Sequence, residues 1–336
     1  MNAILPDQHI RHHAFLDLGT NAARLAVYAI AADAPPSLLT ERRIVTRLGS
    51  SINGNMPDEA GIRRALEAAR RLSLIAKEYR ASLTAIATAA VRDSAGRTEF
   101  CERFRAITGV PLQIISGYRE ARLIYHALAN SIPADPPTLL LDIGGGSTEI
   151  IVGSSKKIHE IISWPIGAVR LSEQFPRSMR AEPTPAAVYC QMQYYVQRHA
   201  GARVASLRRY NAVSAVAVAG TSYSLAALIT ARTAAPDASE PVIACSLINH
   251  LAEQIRRLSR AERRALPGMS SGRADIILAG LAILSTILQT LRLQRLHLSN
   301  AGLRDGLLRE FLSRQFRSQG QLIHAHNRQD HSQSCK

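Results

Sequence analysis

A short pattern, an apolar strand followed by Asp-x-Gly and small polar residues, occurs once in each half of the sequence. Residues 15–21 read FLDLGTN and residues 140–146 read LLDIGGG, and another β-rich run follows each copy. A duplicated unit of strand and turn predicts two similar lobes rather than one continuous sheet. The chain has 336 residues, the length of about two domains, which agrees with the duplication. We therefore expect the two copies to face one another.

Strand and helix patterns alternate along the chain. Apolar residues at helical spacing predict a helix over 62–79, and the turn at Ser116-Gly117 predicts another over 118–130. Short apolar runs at 83–88 and 111–116 predict buried strands. Alternation of this kind predicts the α/β fold class with mixed sheets. Further helices are predicted at 221–231, 241–260, 274–290 and 301–314.

Prolines interrupt the chain between the two halves. Pro133, Pro136 and Pro137 follow the predicted helix 118–130 and break the regular pattern. We therefore predict an N-terminal lobe over 14–134 and a C-terminal lobe over 135–312. The remaining segment, 313–336, is polar and basic and is expected to form a mobile tail.

The net charge of the chain favours an anionic partner. There are 41 Lys and Arg residues against 26 Asp and Glu residues, which gives a formal charge of +15. Nucleic acid, an acidic membrane, a nucleotide and an inorganic polyanion all fit such a charge. Aromatic residues make up only 5% and do not interleave with the basic ones, which argues against single-stranded nucleic acid. We predict no specific nucleic-acid partner, and solvated helix faces are the alternative interpretation of the basic residues.

The cysteines and the apolar segments indicate the compartment. Cysteines at 101, 190, 245 and 335 are far apart and show no metal-ligand spacing, which is typical of reduced thiols. The first 13 residues lack the apolar segment of a signal peptide. The longest apolar stretch, 276–291, contains polar residues and is too short to span a membrane, so it predicts a buried helix. We expect a cytoplasmic protein with no membrane association.

The second copy of the pattern continues into three successive glycines, since residues 142–149 read DIGGGSTE. Such a run is costly in a strand or helix, whereas in a turn it lets backbone N–H groups approach an anion without interference from Cβ atoms. Ser147 adds a hydroxyl donor, and Asp142 and Glu149 are hard oxygen ligands suited to Mg²⁺ beside phosphates. The run predicts a phosphate-binding loop, with a plain hairpin turn as the alternative.

Taken alone, the first copy predicts only a turn, because one glycine and one asparagine are common in turns. Paired with the second loop, Thr20 and Asn21 become candidates for a second set of phosphate contacts. Asp17, at the position equivalent to Asp142, is a further candidate ligand of the metal. Arg24 lies just beyond and would either pair with an anion or cap the sheet edge.

Three further groups follow predicted strands, which is where the sites of α/β proteins collect. Arg92 is suited to bidentate phosphate binding, or is a surface arginine. Glu120 lies in the first turn of a predicted helix and is a candidate general base, or an acid that complements the helix dipole. Gly220 and Thr221 lie where a strand gives way to a helix N-terminus, a common place for anions to bind.

These motifs, in this order, resemble the exopolyphosphatase/guanosine pentaphosphate phosphohydrolase family over roughly residues 14–312. The run from Asp142 to Glu149 is the most specific of them, and the ordered set is more specific than any one motif. The motifs that carry the resemblance lie at 17–21, 88–92, 116–121, 142–149, 166–171, 219–221, 273–280 and 298–306.

The resemblance implies two actin-like, ribonuclease H-like lobes with mixed β-sheets and an active site in the cleft between them. It also implies that Glu120 activates water, that Arg92 binds phosphate, and that Asp142 and Glu149 accompany Mg²⁺. The phosphate-cradling residues that it implies are Thr20, Asn21, Gly144, Gly145, Gly146 and Ser147.

The activity that the resemblance implies is that of an exopolyphosphatase, which removes the terminal phosphate from inorganic polyphosphate. Mg²⁺ is the expected cofactor, with a monovalent cation such as K⁺ as a further candidate, and a homodimer is a further expectation. Guanosine pentaphosphate is the second candidate substrate. A kinase of the same superfamily and a non-catalytic polyphosphate sensor are two competing hypotheses. No insertion for a kinase acceptor is visible, and the presence of Glu120, Asp142 and Glu149 argues against a sensor.

Several positions differ from the family pattern, among them Gly96, where an Asn is usual, and two places near the candidate site. The first loop often reads Ser-Asn-Ser, whereas Thr20-Asn21-Ala22 lacks one hydroxyl. The acid pair before Ala121 is commonly Glu-Glu, whereas here it is Arg119-Glu120. Because the retained acid is the one assigned to catalysis, we expect Arg119 to alter substrate preference.

Overall fold

The computed structural model describes residues 10–31, 33–49, 57–175, 182–233 and 240–315. Within these residues the chain forms two β-sheets with helices packed on them. The first sheet contains β1 (Arg11–Leu18), β2 (Ala22–Ile30), β3 (Ser37–Val45), β4 (Ser82–Ala87) and β5 (Leu112–Ile114). The second contains β6 (Thr138–Ile143), β7 (Thr148–Gly153), β8 (Ile158–Trp164), β9 (Ala215–Val218), β10 (Val242–Ala244) and β11 (Arg295–Leu298).

The two sheets have the same topology. The first has the order β3-β2-β1-β4-β5, in which β1 to β3 form an antiparallel meander and β4 and β5 run parallel to β1. The second has the order β8-β7-β6-β9-β11, with the same directions, and β10 is added as an antiparallel edge strand. The prediction of two ribonuclease H-like lobes with mixed sheets is confirmed.

Helices cover both sheets. In the first half they are α1 (Glu59–Glu78), α2 (Ala89–Arg92), α3 (Arg97–Thr108) and α4 (Gly117–Leu128). In the second half they are α5 (Ala168–Glu173), α6 (Ala186–Ser206), α7 (Ala219–Thr233), α8 (Cys245–Arg256), α9 (Arg260–Ala265), α10 (Ser271–Ala274), α11 (Ile277–Leu291) and α12 (303–315). Short 3-10 turns follow α4 and α6, at Ala129–Ser131 and Leu207–Tyr210.

Each lobe has its own apolar core. In the first, the buried face of α1, which includes Ile62 and Leu66, packs on strand residues such as Leu16 and Leu25. In the second, α11 is buried on nearly all sides and packs against α6 and α8. The apolar segment predicted as a buried helix is therefore confirmed as α11. Among the described residues, none of the helices combines the length and the apolar character that crossing a membrane requires.

Two helices pack on the sheet of the other half of the chain. Helix α4 lies against β7 and β8 of the second sheet. Helix α12 lies against the first sheet, where Phe311 contacts His13 and Phe15 at ring-centroid distances of 4.0 and 5.9 Å. The two helices also meet closely, because a Cβ atom on Gly306 would overlap the carbonyl oxygen of Leu123. The boundary at 134 stays a prediction, and the packing of α4 and α12 crosses it.

The single helix predicted over 241–260 is wrong. Val242, Ile243 and Ala244 instead form β10, which pairs with β11, so sheet pairing outweighs the local helical pattern here. Helix α8 then ends at Arg256, and Ser259 begins α9 with a capping box in which Glu262 is the reciprocal partner. Within the predicted tail, α12 continues through residue 315, and 316–336 lie outside the described residues.

Candidate active site

The two copies of the sequence pattern form equivalent hairpins. In the first, the N–H of Gly19 donates to the carbonyl of Ala22 at 3.1 Å, and in the second the N–H of Gly144 donates to the carbonyl of Ser147 at 3.0 Å. The strand entering each turn carries an aspartate, which lies opposite Arg24 in the first hairpin and opposite Glu149 in the second. The same place in the two lobes therefore holds a basic residue in one and an acidic residue in the other.

The two turns touch each other. A Cβ atom on Gly145 would lie 3.0 Å from Cβ of Thr20 and 3.3 Å from the backbone N of Asn21. A Cβ atom on Gly146 would lie 2.5 Å from Oγ1 of Thr20 and 2.8 Å from Cβ of Ala89. Only glycine allows this approach, so the glycine run lets the backbone of one lobe meet the turn of the other.

One cavity between the lobes collects most of the predicted site residues. Those that line it are Asp17, Thr20, Asn21, Glu120, Asp142, Gly144, Gly145, Gly146, Ser147 and Gly220. The remaining three lie behind this lining. Arg92 donates a hydrogen bond to Glu120, and Glu149 accepts one from Ser147. Thr221 follows Gly220, and its buried hydroxyl has no partner among the described residues.

Helix α4 brings Glu120 to the cavity. Its N-cap, Ser116, accepts a hydrogen bond from the N–H of Arg119 at 3.2 Å, which begins the helix one turn before the carboxylate. At Gly117 the helix meets β8 so closely that a Cβ atom would overlap the side chain of Ser163. Glu120 is only 7% exposed, and Arg92 Nη1 donates to its Oε2 at 3.2 Å.

Glu149 is fully buried behind the second turn. Ser163 donates to its Oε1 at 2.9 Å, and Ser147 donates to its Oε2 at 3.3 Å. Ser163 was not among the site residues predicted from the sequence. No local pattern marks it, because it reaches the site only through the pairing of β7 with β8.

Burial and mutual repulsion raise the pKa values of the site carboxyls. Burial, together with the charge of Asp17, raises the pKa of Asp142 to about 6. Burial and the charge of Asp142 raise the pKa of Glu149 to about 8, against the hydrogen bonds from the two serines. Burial raises the pKa of Glu120 well above its usual value, and repulsion from Glu149 adds to this. Each of these three carboxyl groups is therefore harder to ionise than a carboxyl group in water.

Four arginines line the same cavity: Arg24, Arg43, Arg273 and Arg304. Burial, together with repulsion from Arg24, lowers the pKa of Arg273 to about 9. Nη2 of Arg43 and Nη1 of Arg304 are buried without a hydrogen-bond partner in the part of the chain that the structure describes. Such donors are costly to bury alone and are well suited to an anion.

Sequence reasoning assigned no definite role to these arginines. Arg24 had two interpretations, an anion contact or a cap of the sheet edge, and the repeat places it at the position equivalent to Glu149. Arg273 and Arg304 lie in motifs that carry the family resemblance. No sequence signal marks Arg43, which comes from the half-buried end of the edge strand β3.

The residues fit a divalent cation in part. Oδ1 of Asp17 is buried and makes no hydrogen bond to any described residue, and the nearby donors are oxygens, which Mg²⁺ prefers. However, no three His, Cys, Asp or Glu side chains in the described part of the chain form a group that would hold a metal alone. The donor set therefore suits a cation held by one or two carboxylates together with substrate phosphates and water.

Arg119 lies outside the cavity. Its Nη2 donates to Glu310 Oε2 on α12 at 2.9 Å, and it lines a separate groove between α4 and α12. The structure does not bring Arg119 to the two turns, and an effect of Arg119 on substrate preference stays a prediction.

Replacing Asp142 by Asn is expected to raise Tm at pH 8 but not at pH 4, in the absence of divalent cations. Since the folded-state pKa is about 6, above the ordinary 3.8, the unfolded chain ionises first as pH rises. Stability is therefore lost between pH 3.8 and about 6 and stays low above that. Removing the charge should recover on the order of 5 °C. Thermal unfolding in a chelator tests this, and an equal change at both pH values would contradict it.

Comparison with known proteins agrees with this geometry. A sequence profile of the Ppx/GppA phosphatase family matches residues 26–315. An uncharacterised protein of Streptomyces coelicolor is 31% identical over 272 residues, which cover 80% of each chain. The structure resembles an exopolyphosphatase from Cytophaga hutchinsonii with a TM-score of 0.84 at 24% identity, covering 90% of this chain and 98% of that one.

A second solved structure, the Aquifex aeolicus member of the Ppx/GppA family, is 25% identical with a TM-score of 0.71, covering 91% of this chain and 99% of that one. The Cytophaga likeness supports the two-lobed actin-like fold, and the profile and the Streptomyces relative extend over most of the chain. This chain belongs to the Ppx/GppA phosphatase family.

Proposed function

We propose that this protein is an exopolyphosphatase, which hydrolyses the terminal phosphate of inorganic polyphosphate. The observation that carries the proposal is the position of Glu120, which shares one cavity with the phosphate loops of both lobes. A buried carboxylate beside an anion-binding turn is suited to activating water next to a terminal phosphate. The exopolyphosphatase from Cytophaga hutchinsonii, which shares the fold, is consistent with this proposal.

The cavity holds groups of both charges, which suits a substrate with a reacting end and an anionic tail. Carboxylates and four arginines line it together. Each internal unit of polyphosphate carries about one negative charge, so the arginines offer a place for the units behind the terminal one. The net charge of +15 would also attract such a chain from solution.

In the proposed reaction, Glu120 orients a water molecule and takes its proton as the water oxygen attacks the terminal phosphorus. The bond between that phosphorus and the bridging oxygen breaks, and the shortened chain leaves with the electron pair. The raised pKa of Glu120 makes its ionised form a stronger base than a free glutamate. Backbone N–H groups of Gly145 and Gly146, with the Thr20 hydroxyl, would hold the phosphoryl oxygens, while the N–H of Gly144 closes the turn on Ser147.

Mg²⁺ is the proposed cofactor. Asp142, Asp17 and the substrate would all bind the ion, and Glu149 would lie behind the two aspartates. When bound, Mg²⁺ neutralises charge on the phosphoryl oxygens. It would also offset the repulsion among the carboxylates, which together with burial raises their pKa values.

Phosphate release from polyphosphates of several lengths, with and without Mg²⁺, tests the proposal. We expect Mg²⁺-dependent release of orthophosphate, with the chain shortened by one unit at a time. Guanosine pentaphosphate and ATP serve as parallel substrates. Preferred release from the pentaphosphate would replace polyphosphate as the substrate, and ATP consumption only with an added acceptor would indicate a kinase. Tight binding of polyphosphate without any release would indicate a sensor.

A further inference from the structure

The guanidinium of Arg92 lies between two carboxylates. Its Nη1 donates to Glu120 Oε2 at 3.2 Å, and its Nε donates to Asp93 Oδ1 at 3.1 Å. The second oxygen of Asp93, Oδ2, accepts a hydrogen bond from Nη2 of Arg170 at 2.7 Å. These four side chains form a chain of alternating charges that begins at the proposed general base and crosses to the other lobe.

Arg170 is held in place at two further points. Its Nη1 donates to the carbonyl of Pro165 at 3.1 Å, and its backbone N–H donates to the carbonyl of Gly145 at 3.2 Å. The side chain is 19% exposed, and that of Arg92 is 18% exposed, so neither is a freely solvated surface arginine. The far end of the charge chain is therefore fixed to the phosphate loop itself.

Asp93 determines where the Arg92 guanidinium can point. A carboxylate that accepts one hydrogen bond on each oxygen, from two arginines, has little freedom to rotate. Among the described residues, Arg92 pairs with no carboxylates besides Asp93 and Glu120. Loss of Asp93 would therefore leave its guanidinium restrained only by Glu120 and by the carbonyl of Ile115, to which Nη1 donates at 3.4 Å. Charged pairs that are mostly shielded from water keep more of their interaction energy than exposed pairs.

We propose that Asp93 and Arg170 are positioning residues of the reaction, which act across the cleft by holding Arg92 against Glu120. This inference rests on the phosphohydrolase function proposed above. Neither residue lines the cavity that holds Glu120; both line a separate groove beside Pro165, and in this proposal they act through Arg92. The pair also makes the position of Arg92 depend on the approach of the two lobes, because Asp93 and Arg170 come from different ones.

The test compares kcat and KM for phosphate release in Asp93→Asn, Arg170→Met and Arg170→Lys. We expect kcat to fall roughly 10-fold in the first two, with KM nearly unchanged, because the substrate contacts remain. Arg170→Lys keeps the charge and should recover part of the loss. Arg70→Gln removes an exposed partner of Glu67 on α1 and is the matched control, with no expected change.

Coupling between the variants separates positioning from a merely structural contact. The double variant of Asp93→Asn with Arg170→Met should lose about as much kcat as the more severe single variant, since both break one chain. In an Arg92→Met background, Asp93→Asn should have almost no further effect. If Asp93 only stabilised the contact between the lobes, Asp93→Asn would lower activity in the Arg92→Met background as much as in the wild type. It would also lower Tm in proportion.

Unchanged kcat in both single variants, multiplied losses in the double variant, or a loss carried by KM alone would each overturn the inference. An active wild-type protein with unaffected variants overturns this inference and leaves the proposed function standing. A wild-type protein that releases no phosphate from any condensed phosphate overturns both.

Discussion

Replacement of Glu120 by Gln is expected to lower kcat for phosphate release by about 10²–10⁴-fold, which is the usual contribution of a general base. Gln fills the same space and retains an oxygen that can accept from Arg92, but it cannot take the proton from water. Polyphosphate binding, measured by calorimetry on the inactive variant, should be nearly intact or tighter, because one negative charge leaves the cavity.

The control for this experiment is Glu102→Gln. Glu102 is exposed on α3 and forms no ion pair with any described residue, so the same chemical change there should leave kcat and Tm unchanged. Tm of Glu120→Gln itself should not fall, since Gln keeps an oxygen that accepts from Arg92 and loses a charge that burial and the nearby acids Glu149 and Asp142 disfavour. A Gln variant that keeps most of the wild-type turnover would remove Glu120 from its assigned role.

The sequence was sufficient to predict those features that local pattern determines. The repeat at Asp17 and Asp142 predicted two similar lobes, and the sheets share one topology. The Ser116-Gly117 turn predicted that Glu120 would lie in the first turn of a helix, and Ser116 is indeed its N-cap. In each case a few adjacent residues determine the backbone conformation, so the prediction needs no tertiary information.

Features that depend on contacts distant in sequence were not predicted. The arginines of the cavity come from β2, β3, α10 and α12, and only the packing of both lobes brings them together. Residues 242–244 were assigned to a helix because their strand partner, β11, lies some fifty residues further along the chain. The local sequence also does not predict that α4 packs on the second sheet and α12 on the first, since an apolar helix face does not specify which sheet covers it.

The close contact between the two turns predicts a second large loss of activity, in the variant Gly146→Ala. Gly146→Ala adds a Cβ atom 2.5 Å from Thr20 Oγ1 and 2.8 Å from Ala89 Cβ, both closer than packed atoms tolerate. The turns must move apart, which would displace both sets of proposed phosphate contacts. Because a misplacement of about 1 Å costs on the order of 10²-fold in rate, we expect kcat/KM to fall by about that factor.

A graded series makes this prediction specific. Gly145→Ala places its Cβ atom 3.0 Å from Thr20 and 3.1 Å from Val169, so its loss should be smaller than that of Gly146→Ala. Gly201→Ala on α6 places its Cβ atom against the side chain of Gln197, and neither residue lines the cavity, so activity should stay the same. Full activity in Gly146→Ala would mean that the two turns need not meet for phosphate to be held. The cavity would then owe its function to the carboxylates and arginines alone, and the duplicated glycine turn would be a feature of the fold rather than of the site.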